Sequence, residues 1–393
     1  MGFITQEGLE NLKKYKYVSG GRTLLDNLMN PWWEFVTRCM PMNMAPNLIT
    51  LVGLIINISG CLIYLKYDTS MTMLMPAWMY FYSATCSFIY QTMDAVDGKQ
   101  ARRTGTSSPL GQLFDHGCDA VTVFFGLVVF GQFARVGNDW AFFVLAWSLT
   151  LTFYTQQWEE YHTHIFRTCI GNWGVTEGLV LQLVFLYGVA VTSGSLADLT
   201  LGSMMPFVEL PVYLSKLTIT QLSSIMICYN ATTYTWVNIK SGLAASKYPA
   251  VEALLGLSPL PIFWLKMYLV FSTEWGWTNP ALALLLLFPS YCLMTCKHIV
   301  CSVCLMPFSP IQKSPLVFLA FPLNKYALAF LPNLKTLQFS SVAGTDLLMP
   351  ESWVAAFVFL FTLAAFLKFV VGSIKQITTY LDIYCLTIKH KKQ

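Results

Sequence analysis

The chain has 393 residues, of which 55% are hydrophobic and only 11% charged, far from the roughly 25% charged average of soluble domains. It reads as an all-α, polytopic membrane protein, and a soluble globular fold is excluded. A net charge of +4, with no basic tract interleaved with aromatics, excludes nucleic acid as a partner.

Residues 1–45 set Leu9, Leu12, Tyr15 and Tyr17 among Lys13, Lys14 and Lys16, followed by Pro31-Trp32-Trp33 and Phe35. This pattern predicts a basic amphipathic segment, cytosolic or at the membrane surface, with its tryptophans at headgroup depth. No cleavable signal peptide is expected, because the first forty residues lack a continuous apolar core. Gln6 stands where a myristoylation motif wants Ser or Thr.

A transmembrane domain is expected over 46–372. Spans are predicted at 46–67, from 72 to the acidic residues near 94, and at 115–136, 140–161, 178–197, 217–237, 254–272, 279–296, 315–331 and 353–372. Each is near the roughly 20 apolar residues that a bilayer requires. These make about ten spans, the sixth and seventh being less apolar. Residues 199–216, with Pro206, Glu209 and Pro211, read as a loop.

With a cytosolic N-terminus most basic residues fall on the cytosolic side, among them Lys13, Lys14, Lys16, Arg102, Arg103, Arg167, Lys313, Lys391 and Lys392. Lys66, Arg135, Lys216 and Lys335 fall opposite, in agreement with the positive-inside rule. The basic tail, 373–393, ends with Lys389 and Lys391 placed as in a lysine-based retrieval signal for the endoplasmic reticulum, and ordinary flanking charge explains them equally well. The eleven cysteines are scattered, mostly in apolar stretches, as small buried hydrophobes are. Cys296, His298, Cys301 and Cys304 lack a recognised zinc spacing.

The functional signal lies in residues 94–119. Asp94 and Asp97 are one turn apart, as are Asp115 and Asp119, so on two helices each pair projects from a single face. Carboxylates beside lipid are costly and mark functional sites, and facing pairs can hold divalent cations. Oxygen ligands favour a hard ion such as Mg²⁺, Ca²⁺ or Mn²⁺. Gly98 and Ala101 remove side-chain bulk, Arg102 and Arg103 suit phosphate oxygens, and Thr104 to Pro109, with Gly105 and Pro109 as breakers, read as the turn between the helices. Together they point to a bound diphosphate.

The pattern Asp94-x2-Asp97-Gly98-x2-Ala101-Arg102-x8-Gly111-x3-Asp115-x3-Asp119 resembles the signature of the CDP-alcohol phosphotransferases. The resemblance implies that the four aspartates hold two divalent ions, Mg²⁺ or Mn²⁺, and that Gly98, Ala101, Arg102 and Gly111 border the CDP moiety with Asp94. Ala45-Pro46-Asn47-Leu48-Ile49-Thr50 resembles the segment preceding that signature in eukaryotic members, which places Asn47 near the nucleotide. Trp158-Glu159-Glu160-Tyr161-His162-Thr163, followed by Glu177-Gly178, resembles the cholinephosphotransferase and ethanolaminephosphotransferase branch. Glu159 and Glu160 are therefore candidates for offsetting a cationic head group, with an aromatic adding a cation–π contact.

The implied reaction moves phosphocholine or phosphoethanolamine from CDP-choline or CDP-ethanolamine to diacylglycerol, with CMP leaving. The resemblance also implies a homodimer in the endoplasmic reticulum or Golgi membrane. For the proton acceptor two residues stand: Asp119, the usual family choice, and His116. The reading favours His116 as base and Asp119 as ligand, since a metal-bound carboxylate is a poor base. Two other functions fit parts of the pattern. One is a family relative with inositol as acceptor; the other is a cation transporter, which has no use for the glycines and arginines beside its acids.

Overall fold

A computed structural model describes residues 2–15, 17–18, 20–311, 314–330, 338–342 and 345–389. Of the basic residues expected to set orientation and retrieval, Lys16, Lys313, Lys335, Lys391 and Lys392 lie outside the described residues. The first half holds α1 Gln6–Asn11, α2 Leu24–Cys39, α3 Pro46–Leu65, α4 Ala77–Thr104, α5 Pro109–Ala134, α6 Trp140–Thr163 and α7 Val175–Val191. Then come α8 Leu201–Met204, α9 Val212–Ser215, α10 Ile219–Ala245, α11 Ala250–Leu255, α12 Pro259–Phe271, α13 Glu274–Thr278, α14 Pro280–Val303, α15 Ala320–Phe330 and α16 Glu351–Leu381. A short antiparallel ribbon between α6 and α7 pairs β1 Cys169–Ile170 with β2 Trp173–Gly174.

Local chemistry sets many of the helix starts. Pro46, Pro109, Pro259 and Pro280 stand in the first turns of α3, α5, α12 and α14, where a missing N–H costs nothing. Thr23 and Asp26 form a capping box on α2, and Thr218 and Gln221 form one on α10. Such caps matter most where a helix begins at a membrane boundary and cannot rely on lipid to satisfy its first N–H groups.

Among the described residues, five helical segments are long and apolar enough to cross a membrane: Pro46–Leu65, Pro109–Ala134, Ala250–Phe271, Pro280–Val303 and Glu351–Leu381. All five fall on predicted spans. The remaining predicted spans are helical too, but α4 and α6 carry too many polar side chains, including Gln91, Asp94, Asp97 and Gln100 on one and Gln156, Gln157, Glu159 and Glu160 on the other. α7 and Leu316–Phe330 are apolar but short. The seventh predicted span is interrupted between α11 and α12, and α5 begins at Pro109 rather than near Asp115.

Of the five segments, α5 and α14 are the most buried and the last, α16, is among the least, so the core forms where α14 packs on α5, α6 and α16. α3 lies on both α4 and α5. Its approach to α4 depends on Gly53 and Gly60, where a Cβ would sit 2.9 Å from the Cβ of Met93 and of Cys86. Small residues at such a seam let membrane helices approach closely. α6 packs along α10, with the Trp158 ring against Gly242, and Trp158 Nε1 donates to the Ala253 carbonyl of α11 at 2.9 Å.

The N-terminal segment threads across the helix ends. Phe3 and Ile4 donate their N–H groups to Gln376 Oε1 at 2.7 and 3.2 Å, and Asn11 donates to the Cys304 carbonyl at 3.3 Å. Further on, Phe166 donates to the Val18 carbonyl and Gly20 to the Phe166 carbonyl, at 3.0 and 2.7 Å. This strap ties α14, α16 and the loop after α6 to one another.

Candidate active site

The site is built on a helix hairpin. α4 ends at Gly105, whose φ of 68° is the left-handed conformation that glycine adopts without strain. Ser108 caps α5, accepting from the Gly111 N–H, and Pro109 follows. α4 and α5 therefore return past each other with the aspartates on facing turns.

Three of the four carboxylates converge: oxygens of Asp94, Asp115 and Asp119 all lie within 4.8 Å of one another. Tyr90 donates its hydroxyl to Asp119 Oδ1 at 2.8 Å. Asp94 Oδ1 and Asp115 Oδ1 are buried with no hydrogen-bond partner among the described residues. No lysine or arginine there forms an ion pair with any of the four. Buried carboxylates are costly when unpaired, and an oxygen-only donor set of this kind fits a hard divalent ion. Asp97 stands outside that trio and is itself buried. Its Oδ2 accepts from the Thr50 hydroxyl of α3.

The expected nucleotide residues gather at the turn end of the hairpin. A Cβ on Gly111 would lie 3.9 Å from Asn47 Oδ1, and one on Gly98 would lie 3.5 Å from Arg102 Nη1. Each glycine thus leaves space in front of a polar group. Asn47 donates its amide to the Cys385 carbonyl at 3.1 Å. Ala101 is half-buried one turn from Gly98, and Arg102 is exposed.

Arg103 departs from the expectation that both arginines face phosphate. Its Nη1 donates to the carbonyls of Thr37 and Met40 at 2.6 and 2.9 Å, capping the C-terminus of α2. Gln100 does the same for the following turn, donating to the carbonyls of Pro41 and Met44. Arg102 is left as the phosphate candidate.

The acidic pair on α6 divides as well. Glu159 accepts two-pronged hydrogen bonds from Arg167, at 3.0 Å from Nε and 2.9 Å from Nη2, and is 1% exposed. Its charge is already matched, so the expected head-group role gives way to fastening the loop after α6. Glu160, also buried, accepts from the Gln112 amide of α5 through Oε1, while Oε2 lies 3.9 Å from His116 Nδ1. His116 is buried against Phe166, ring centroids 4.2 Å apart, with the Gln157 amide 3.5 Å from Nδ1. His116 therefore turns toward α6. Of the two aromatics of this segment, Trp158 is fully buried against Gly242 and Gly256, and Tyr161 is half-buried.

Thr50, Tyr90, Gln112 and Gln157 contact the candidate residues Asp97, Asp119, Glu160 and His116, and sequence reasoning missed them. Tyr90 stands one turn before Asp94, and Gln112 follows Gly111 directly. Polar side chains inside otherwise apolar helices were the available signal.

A helical membrane protein with a buried carboxylate group at the head of a helix hairpin is the class these features define. Residues 43–192 match the family model described as CDP-alcohol phosphatidyltransferase. A CDP-alcohol phosphatidyltransferase class-I family protein of Dictyostelium discoideum is 31% identical, with 100% of this chain and 97% of that protein aligned. Choline/ethanolaminephosphotransferase 1 of Arabidopsis thaliana is 29% identical, the alignment covering 100% of both chains. Cholinephosphotransferase 1 of Saccharomyces cerevisiae is 29% identical over 100% of this chain and 99% of its own. The chain belongs to the CDP-alcohol phosphatidyltransferase class-I family.

Proposed function

We propose that the protein transfers phosphocholine or phosphoethanolamine from CDP-choline or CDP-ethanolamine to diacylglycerol, giving phosphatidylcholine or phosphatidylethanolamine and CMP. The observation that carries this reading is the Asp94, Asp115 and Asp119 group, with its unpaired oxygens, on one helix hairpin that also carries Arg102, with Asn47 of α3 facing Gly111 of that hairpin. Relatives aligned end to end and named for choline and ethanolamine phosphotransfer support the substrate class.

The diacylglycerol hydroxyl oxygen bonds to the phosphorus that carries the head group. The bond from that phosphorus to the bridging oxygen breaks, and CMP leaves with the oxygen. Two divalent ions, Mg²⁺ or Mn²⁺, held by Asp94, Asp97, Asp115 and Asp119, would supply charge neutralisation to the diphosphate. Arg102 binds phosphate oxygens, and Asn47, Gly98, Ala101 and Gly111 border the CDP half. His116 takes the proton of the attacking hydroxyl. Gln157 at hydrogen-bond distance from Nδ1 orients the ring, and the Glu160 carboxylate, 3.9 Å from the same nitrogen, stabilises its charged form by proximity. In this scheme Asp119 remains a ligand, oriented by Tyr90.

The same proposal takes residues 1–45 as an interfacial cytosolic segment, 46–372 as a ten-span catalytic domain and 373–393 as a cytosolic tail. The site then opens to the cytosol from the endoplasmic reticulum or Golgi membrane, in a homodimer. Purified protein in detergent–lipid micelles, given Mg²⁺ or Mn²⁺, diacylglycerol and either CDP-alcohol, is expected to release CMP only when diacylglycerol is present. Asp97→Ala should abolish the release, and the ratio of the two rates assigns the head group. Absence of CMP release with both nucleotides would refute the substrate assignment. Near-full turnover of His116→Ala across pH, with Asp119→Asn binding metal but inactive, would move the base to Asp119.

A further inference from the structure

We infer that the segment following α16 is a working part of the nucleotide site, because the Cys385 carbonyl fixes the Asn47 amide so that its oxygen faces the cleft. This rests on the nucleotide site proposed above. A primary amide has a donor end and an acceptor end. In Asn47, which is 9% exposed, the donor end is engaged: Nδ2 lies 3.1 Å from the Cys385 carbonyl and 3.9 Å from its Sγ. The acceptor end, Oδ1, is the atom that faces the space in front of Gly111. A ligand group meeting it there must be a hydrogen-bond donor, such as a ribose hydroxyl or the amino group of cytosine.

The segment is built to hold that carbonyl in place. α16 stops at Asp382, which takes the left-handed conformation, φ 53°. Ile383 then donates its N–H back to the Thr378 carbonyl at 3.1 Å. Ile383 and Cys385 pack on the main apolar core. Beyond them the chain folds back: Lys389 pairs with Asp382 and lies 5.8 Å over the Tyr384 ring. The contact joins residues 338 positions apart in sequence, and its shorter hydrogen bond is to the backbone carbonyl of residue 385. Its effect belongs to nucleotide binding, since Asn47 is remote in role from the acceptor hydroxyl and its base. It follows that loss of the segment weakens nucleotide binding selectively.

The first test uses the unaltered full-length protein with CDP and Mg²⁺ as the probe. Alkylation of Cys385 by iodoacetamide, followed by peptide mass spectrometry, is expected to slow when CDP is added, while that of the exposed Cys39 stays constant. In the second test, Ile383→Asp and deletion of 383–393 should each raise KM for CDP-choline about tenfold, the cost of one hydrogen bond to a ligand. KM for diacylglycerol and kcat should stay within about twofold. Wild-type CMP release separates the two levels of reading. Turnover combined with a Cys385 indifferent to CDP, or with an unchanged KM in Ile383→Asp, overturns this inference alone. Absence of CMP release overturns the nucleotide site beneath it as well.

Discussion

Asp97 illustrates how much a single hydroxyl can decide. It is the one acid of the four that lies outside the converging trio, and the Thr50 hydroxyl is what holds its Oδ2. Thr50→Val keeps the shape of the side chain and removes the donor. Turnover should fall about tenfold, in line with a hydrogen bond to a charged group, while Thr50→Ser should retain most of it; steady-state CMP release distinguishes the two. The adjacent arginines make a matched pair. Arg102→Gln is expected to raise KM for the CDP-alcohol, whereas Arg103→Gln should lower thermal stability by about 1–2 kcal/mol, because it uncaps α2, and leave KM near wild type. Nothing in the adjacent letters separates Arg102 from Arg103; the distinction depends on where the end of α2 comes to rest.

At the scale of elements, the loop between α3 and α4 offers a pH signature away from the catalytic acids. Asp68 is buried, which by itself pushes its carboxyl upward. Hydrogen bonds from the Ser70 hydroxyl and from the N–H groups of Met73, Thr72 and Ser70 outweigh burial and hold it below the ordinary carboxylate value. A depressed folded-state value means that the stabilisation is complete above the unfolded-state pKa, near 3.9, and is lost as pH falls through the folded-state value. Asp68→Asn should therefore lower the melting temperature at pH 7, and the gap to wild type should close as thermal scans move below about pH 4. The α6–α10 seam makes a second prediction. A Cβ on Gly242 would stand 2.4 Å from the Trp158 ring, so Gly242→Val should destabilise by about 1–3 kcal/mol through overpacking, measured by thermal denaturation in detergent.

The same elements show which parts of the architecture the residues announce. The α4–α5 hairpin was legible because acids one turn apart, a glycine and a proline are all local signals, and the structure places them as a helix, a left-handed cap and a helix start. The Glu159–Arg167 pair was not, since an acid beside an aromatic looks the same whether it awaits a ligand or an arginine eight residues on. Hydropathy finds α3, α5, α14 and α16 readily. It falters at α4 and α6, where the side chains that build the site are the ones that dilute the apolar run.

For the whole molecule, the site draws on widely separated parts of the chain. α3 brings Asn47 and Thr50, the hairpin brings the acids, α6 brings Glu160, and the segment past α16 brings the Cys385 carbonyl. Gln376→Ala should loosen the strap, removing the acceptor of two N–H groups and a donor to the Ile4 carbonyl. Protection from hydrogen exchange at Phe3 and Ile4 should then drop, corresponding to about 1–2 kcal/mol of local opening.

The strap carries a consequence for biogenesis. Phe3 and Ile4 have their partner on Gln376, 373 and 372 residues further along the chain, and Asn11 has its partner at Cys304. Because translation makes the earlier partner first, the contacts of Phe3 and Ile4 cannot form until Gln376 has been synthesised. A nascent chain stalled before α16 thus lacks both the strap's anchor on Gln376 and the Cys385 carbonyl to which Asn47 donates.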